Sequence, residues 1–121
     1  MKILICDDDP MTLRALEFQL IKDGYEVIKT VNGREAIKIL DTTENIDLLM
    51  VDIHMPMMSG FELVTYIRDN KQSNMPIIVV SKVNSNDSVN EALELGANGY
   101  LTKPFNLDEL SNKIKEVFKN K

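Results

Sequence analysis

The sequence predicts an open, doubly wound α/β domain, in which a five-stranded parallel sheet lies between two helical layers as a three-layer (βα)5 sandwich. Two observations support this prediction. Apolar runs typical of β-strands alternate five times with segments of helical periodicity. The connections contain no linker rich in Pro, Gly or Ser, and 121 residues is the size of one domain. This length also excludes a closed barrel of eight βα units.

The strand candidates are residues 3–6, 26–31, 48–51, 77–80 and 99–102. The first, third and fourth of these runs are apolar at every position. Continuous apolar runs are typical of central strands in a parallel sheet that helices cover on both faces. Since crossovers between parallel strands are right-handed, each intervening helix packs back onto the sheet.

The segments between the strands contain residues that start and stop helices. Asp9 and Pro10 predict an N-cap and a first helical residue, and Gly24 predicts the left-handed residue that closes that helix. Gly96 predicts the end of the fourth helix. Three further starts are predicted by a capping residue followed by glutamate three positions later, namely Asn32 with Glu35, Ser59 with Glu62, and Asn106 with Glu109.

The first and last helices each have a recognisable core-facing side. Leu13, Leu16 and Leu20 share one face of the first helix. In the last helix we expect a core-facing stripe formed by Leu107, Leu110, Ile114 and Val117.

Charge and composition restrict the partners and the location. The chain has 14 Lys and Arg residues against 19 Asp and Glu residues, so its formal net charge is −5. An acidic surface repels nucleic-acid phosphates and anionic lipids, and we expect neither as a direct partner. No apolar run reaches the roughly 18 residues that a membrane span needs. Cys6 is the single cysteine and lies in an apolar run, so we expect a buried thiol and a cytoplasmic location.

Charged or hydroxyl-bearing residues directly follow four of the predicted strands. They are Asp7, Asp8 and Asp9 after the first strand, Asp52 after the third, Ser81 after the fourth and Lys103 after the fifth. In a doubly wound sheet the carboxyl ends of the strands form sites beside the point where strand order reverses. Asp9 is explained as a helix cap. The other acids would crowd together, which is unfavourable unless a cation or a proton compensates their charge.

The donor set of this edge indicates a metal ion and phosphoryl chemistry. Oxygen ligands without a set of His and Cys residues favour a hard divalent ion, Mg²⁺ or Mn²⁺. Asp52 is the candidate nucleophile, since a metal ion and the Lys103 ammonium can neutralise the equatorial oxygens of a phosphoryl group during in-line transfer. Asp8 is a candidate direct metal ligand, and Asp7 is a second acid that binds directly or through water.

Four segments form a specific combination, namely residues 3–10 (ILICDDDP), 49–60 (LMVDIHMPMMSG), 77–81 (IIVVS) and 96–105 (GANGYLTKPF). Together they resemble the receiver domain of two-component response regulators over essentially the whole length of the chain. The resemblance implies a flavodoxin-like fold with strand order 2-1-3-4-5, like that of the chemotaxis regulators. It also implies one receiver domain over residues 1–121.

The resemblance implies a role for the strand-end residues. Asp52 corresponds to the phosphoacceptor, and Asp7 and Asp8 correspond to the acidic pocket that holds Mg²⁺. The backbone carbonyl of His54 corresponds to a further metal ligand, and Lys103 to the cation that pairs with the phosphoryl group. The family commonly has a cis peptide bond between residues 103 and 104.

The resemblance also implies how the domain signals. Ser81 would contact the incoming phosphoryl group, and Tyr100 would be the aromatic switch residue that moves inward. The output surface would be residues 84–95, Tyr100 and residues 107–118. The expected partners are a sensor histidine kinase or phosphotransfer protein and a downstream protein target, with the chain a monomer or a phosphorylation-dependent dimer. The domain would catalyse only its own phosphorylation and dephosphorylation.

One residue departs from the family pattern. Lys82 stands where the family most often has a small residue. A long cation close to the phosphate could stabilise it, hinder the approach of water or a partner, or point to solvent, and we expect it to point to solvent.

Three other functions fit the sequence less well. Asp7 and Asp9 have the spacing of a haloacid-dehalogenase-type phosphatase, but Met11 stands where that family has Thr or Val. A flavodoxin-like electron carrier would need a phosphate loop that the aspartates oppose. An unphosphorylated interaction module would not need the complete set of side chains found here.

Overall fold

The computed structural model describes residues 1–119 as a parallel sheet of five strands with helices on both faces. The strands are β1 Lys2–Cys6, β2 Glu26–Thr30, β3 Leu48–Asp52, β4 Ile77–Ser81 and β5 Gly99–Thr102. Their order is β2-β1-β3-β4-β5, and every neighbouring pair is parallel. The predicted fold class and strand order are confirmed.

Strand ends differ by one residue from the sequence prediction at four places. β3 continues to Asp52 and β4 continues to Ser81, because each residue still pairs with the neighbouring strand. β1 begins earlier, at Lys2, which pairs with Glu26, and β2 stops at Thr30, the last residue that pairs with β1. Asp52 and Ser81 are therefore held by the sheet itself and do not belong to the loops that follow.

The helices are α1 Pro10–Lys22, α2 Gly33–Thr42, α3 Gly60–Thr65, α4 Asn86–Leu95 and α5 Leu107–Lys119. α3 continues without a break into a π-helical segment, Tyr66–Asn70, which no sequence signal predicted. α4 begins after Ser85, whose side chain accepts a hydrogen bond from the Ser88 N–H at 3.2 Å. The sequence predicted the end of α4 at Gly96 but not this start.

The predicted helix caps are present. Asp9 accepts a hydrogen bond from the Met11 N–H at 3.1 Å, and Gly24 adopts a left-handed φ of 94° after α1. The capping side chains of Asn32, Ser59 and Asn106 each accept a hydrogen bond from the N–H of the glutamate three residues later. Only Ser59 and Glu62 form the reciprocal capping box in full. These local bonds fix where each helix leaves the sheet.

Two hydrophobic clusters, one on each face, hold the layers together. Side chains of α1 and α5 pack with alternate strand residues such as Ile5 and Met50. Side chains from α2, α3 and α4 pack on the opposite face with Leu4 and Val51. Cys6 belongs to this second cluster, and burial raises the pKa of its thiol to about 11.

The core-facing stripe predicted for α5 contains one residue that is not part of the core. Leu110, Ile114 and Val117 are buried against the sheet as predicted, whereas Leu107 is 43% exposed. Leu107 is the first residue of α5, directly after the Asn106 cap, and it does not belong to the core cluster on that face. Helical periodicity identifies a face, but it does not show where along the helix the core begins.

Candidate functional site

The acidic and basic residues of interest meet at the carboxyl edge of the sheet, beside the reversal of strand order between β1 and β3. Asp7 follows β1 and is 1% exposed, and Asp52 ends β3 and is 8% exposed. Asp8 is exposed. One carboxylate oxygen of each residue lies within 4.8 Å of one such oxygen of the other two. The crowding expected from the sequence is therefore present.

Asp7 is the most completely engaged of the three acids. Its Oδ1 accepts a hydrogen bond from the Asp9 N–H at 2.9 Å, and its Oδ2 accepts one from Lys103 Nζ at 2.7 Å. Burial raises the pKa of Asp7, and the hydrogen bond and charge of Lys103 offset only part of that rise. Asp7 thus fixes the position of the lysine and has no oxygen without a partner.

Lys103 reaches the site from the residue after β5. Its Nζ lies 2.7 Å from Asp7 Oδ2 and 3.4 Å from Asp52 Oδ2, and its side chain is only 10% exposed. Burial acts to lower the pKa of Lys103, but the Asp7 hydrogen bond and the charges of both aspartates raise it overall. Lys103 is therefore a fixed cation, and the peptide bond to Pro104 is cis, as the resemblance implied.

Asp52 is held by the strand and by the loop that follows it. Its Oδ1 lies 3.4 Å from the His54 N–H, which is a long hydrogen bond. The loop returns so closely that a Cβ on Gly60 would lie 2.2 Å from the Asp52 carbonyl oxygen. The Gly60 N–H also donates to the Ile53 carbonyl at 2.8 Å. Glycine at position 60 is required for this close approach.

A cavity of about 220 Å³ opens over these groups. It is lined by Asp8, Asp9, Asp52, His54, Lys82 and Lys103. Within the described residues, no hydrogen bond engages the Asp8 carboxylate. Clustered carboxylates with unengaged oxygens and no sulfur or imidazole partner fit a hard divalent cation.

Ser81 and Tyr100 do not line this cavity. Ser81 is fully buried, and its Oγ accepts a hydrogen bond from the Val83 N–H at 3.1 Å. The Tyr100 hydroxyl donates to the Val83 carbonyl and lies 3.1 Å from Ser88 Oγ. Both predicted switch residues therefore contact the same residue of the loop between β4 and α4.

Sequence reasoning missed Val83 and Ser88 as the contacts of Tyr100. The pair Ser85 and Ser88 has the spacing of a helix N-terminus, and this signal would have located the start of α4. The contact of Val83 is made by its backbone, for which side-chain type gives no signal.

An open parallel α/β sheet with an acidic pocket and a fixed lysine at its switch point defines the class of phosphate-accepting receiver domains. The chain belongs to the response regulator receiver domain family, whose profile matches residues 3–115. Receiver domains are the signalling switches of two-component systems.

Individual relatives agree with this membership. The chain is 36% identical over 117 residues to the transcriptional regulatory protein CrdR of Helicobacter pylori, covering 97% of this chain and 54% of that protein. The structure matches the chemotaxis response regulator CheY4 of Vibrio cholerae with a TM-score of 0.89 at 32% identity, covering 96% and 97% of the two chains. It also matches TrrA of Thermotoga maritima, solved in complex with Mg(2+)-BeF, with a TM-score of 0.84 at 35% identity and the same coverage.

The chain spans about half the length of the curated relatives it matches. Within residues 1–119, no helix has both the length and the apolar character needed to cross a membrane.

Proposed function

We propose that Asp52 is the phosphoacceptor of this domain and takes a phosphoryl group from the phosphohistidine of a sensor histidine kinase or phosphotransfer protein. The observation that carries this proposal is the surroundings of Asp52. Its carboxylate ends a central strand, lies beside two further acids, and has the Lys103 ammonium at 3.4 Å from Oδ2. It also lines a cavity that a donor can enter.

The donor set supports Mg²⁺, or Mn²⁺ in its place. Asp8 and Asp52 would bind the ion directly, and Asp7 would act through water because both of its oxygens already accept hydrogen bonds. The backbone carbonyl of His54 would supply one further oxygen. When bound, Mg²⁺ neutralises charge on the phosphoryl oxygens.

The side chains divide the transfer between them. An Asp52 oxygen attacks phosphorus, and an O–P bond forms as the N–P bond of the phosphohistidine breaks and its electron pair returns to the imidazole. Lys103 is already fixed by Asp7, so it stabilises the developing charge without a change of position. Attack of water on the acyl phosphate would release inorganic phosphate and restore the Asp52 carboxylate, which resets the domain.

Ser81, Val83 and Tyr100 would convert the phosphoryl group into a changed surface. Phosphorylation replaces the single charge of the Asp52 carboxylate with a phosphoryl group that carries nearly two negative charges, beside the end of β4. In this proposal the Ser81 hydroxyl turns to a phosphoryl oxygen and releases the Val83 N–H. The loop would then shift together with Tyr100, which is bonded to the Val83 carbonyl.

The surface that changes would be formed by α4, β5 and α5, and it would bind a downstream protein target. The domain would act in the cytoplasm, as a monomer or a phosphorylation-dependent dimer, and would catalyse only its own phosphorylation and dephosphorylation. Nucleic acid and membrane are not proposed as direct partners of residues 1–121, since their net charge is −5.

Incubation with Mg²⁺ and acetyl phosphate, followed by intact-mass measurement, tests the phosphoacceptor role. Wild type should gain one phosphoryl group, and Asp52→Asn should gain none because it lacks the attacking oxygen. Asp41→Asn, which alters an exposed acid on α2, is the matched control and should be labelled like wild type. Equal labelling of Asp52→Asn and wild type would contradict the proposal.

A further inference from the structure

Lys82 is the cation of the site that has no acidic partner. It directly follows Ser81 at the end of β4, its side chain is exposed, and it lines the cavity over Asp52. Among residues 1–119, no carboxylate lies within 4.0 Å of its ammonium. The expectation that Lys82 points to solvent is met in part, since the residue is exposed but at the mouth of the cavity.

The two lysines of the cavity differ in what they are free to do. Lys103 is shared between Asp7 and Asp52, and its side chain is 10% exposed. Lys82 has a flexible stem of four carbons and forms no ion pair with residues 1–119, so its ammonium can follow an approaching anion.

The balance of charges around the cavity indicates a function for Lys82. Two ammonium groups face four carboxylates, those of Asp7, Asp8, Asp9 and Asp52. The divalent cation proposed for Asp8 and Asp52 would bring the sum of these charges to about zero, so the attraction of a phosphate dianion depends on each ammonium that can reach it. The pKa of Asp9 is lowered mainly by hydrogen bonds from Thr12 and from the Met11 N–H, and the positive charges of Lys103 and Lys82 lower it further.

We propose that Lys82 binds the phosphoryl oxygens of the incoming donor at the mouth of the cavity. This inference rests on the proposed role of Asp52 as phosphoacceptor. Lys82 contributes affinity for the donor, while Asp52 and Lys103 carry the transfer. The contact is an exposed ion pair, so its effect is modest and sensitive to salt.

The test is the rate of Asp52 phosphorylation by acetyl phosphate in Mg²⁺, measured over a range of donor concentrations. Lys82→Ala should raise the half-saturating concentration about two- to fivefold and leave the rate at saturation within about twofold of wild type. Lys82→Arg should stay close to wild type. Lys115→Ala removes an exposed lysine of α5 far from the cavity and should change neither quantity. Raising the ionic strength should shrink the difference between Lys82→Ala and wild type.

Two results would overturn the inference. One is a half-saturating concentration in Lys82→Ala equal to that of wild type, which leaves Lys82 a solvated surface residue. The other is a loss in the saturating rate alone, which would place its effect in the transfer step. Absence of labelling in wild type would refute the role of Asp52 itself, and it is distinguishable because every variant would then be unlabelled.

Discussion

Two half-buried cations lie at opposite edges of the sheet, and they are stabilised in different ways. Lys103, at the carboxyl edge, contacts two carboxylates. Among the residues that the structure describes, Arg68 at the amino edge donates hydrogen bonds to neutral oxygens alone. Its Nε and one terminal nitrogen donate to the Gly96 carbonyl at 3.1 and 2.8 Å, and further bonds reach the Ser73 carbonyl at 2.8 Å and Asn98 Oδ1 at 3.0 Å.

This difference in partners distinguishes the structural cluster around Arg68 from the reactive cluster around Lys103. Arg68 joins the end of α4 to the chain before β4 and β5, and burial lowers its pKa. Gly96 is needed there, since a Cβ would lie 2.9 Å from the arginine side chain. Every acceptor around Arg68 is neutral and satisfied. At the carboxyl edge two lysines face a larger number of acids, and the negative charge that remains is what a metal ion can neutralise during phosphoryl transfer.

Removing the Arg68 guanidinium should have the largest effect on stability. Arg68→Met should lower the free energy of unfolding by about 2–3 kcal/mol, because two partly buried carbonyls lose their hydrogen-bond donors. Urea unfolding measures this loss. Arg14→Met, at an exposed arginine of α1, is the control and should stay within about 0.5 kcal/mol of wild type. An equal loss of unfolding free energy in Arg68→Met and Arg14→Met would contradict the structural role of Arg68. Phosphorylation of Asp52 should persist in both variants.

Addition of Mg²⁺ should affect only the carboxyl edge. At a Mg²⁺ concentration ten times the dissociation constant, the folded domain should gain about 1.4 kcal/mol. Arg68→Met should gain the same increment as wild type, and Asp8→Asn should gain almost none because it loses a direct ligand. Thermal unfolding with and without Mg²⁺, and titration calorimetry, measure these changes. Unchanged Mg²⁺ affinity in Asp8→Asn would show that the metal lies elsewhere.

The pH dependence of the unfolding free energy should show the smallest difference between the two edges of the sheet. Because burial raises the pKa of Asp7, the folded chain binds its proton more tightly than the unfolded chain. In metal-free buffer the stability of wild type relative to Asp7→Asn should therefore rise as pH falls through the raised pKa toward 3.8, the ordinary value for Asp. The slope is at most about 1.4 kcal/mol per pH unit.

Arg68→Met is the matched variant for this pH series. Its stability difference from wild type should stay constant over the same range, since the oxygens around Arg68 do not titrate. A stability of wild type relative to Asp7→Asn that rises with increasing pH would contradict the raised pKa of Asp7.

The sequence predicted those features that depend on local spacing. Asp9, Gly24 and Ser59 mark helix ends through bonds to residues only a few positions away, and such bonds are visible in the sequence. The meeting of Asp7 and Asp52 was also predictable, because the topology rule for parallel sheets brings strand ends to one edge.

Features that depend on contacts between distant segments were not predictable. The bonds of Arg68 join parts of the chain up to 30 residues apart, and no local pattern encodes them. Some local features were also missed. The π-helical segment after α3 has no sequence signal, and Leu107 follows the helical period but lies before the core begins. The Ser81 hydroxyl accepts a hydrogen bond from the Val83 N–H only two residues away, outside the cavity, because the loop turns there.

The most direct test of the central claim is to locate the modified residue. After reaction with acetyl phosphate and Mg²⁺, borohydride reduction converts an aspartyl phosphate to homoserine, and tandem mass spectrometry of the peptides identifies the position. Conversion at Asp52 alone, absent without the phosphodonor, is the predicted result. Conversion at Asp7 or Asp8 with Asp52 unchanged would contradict the assignment of the phosphoacceptor.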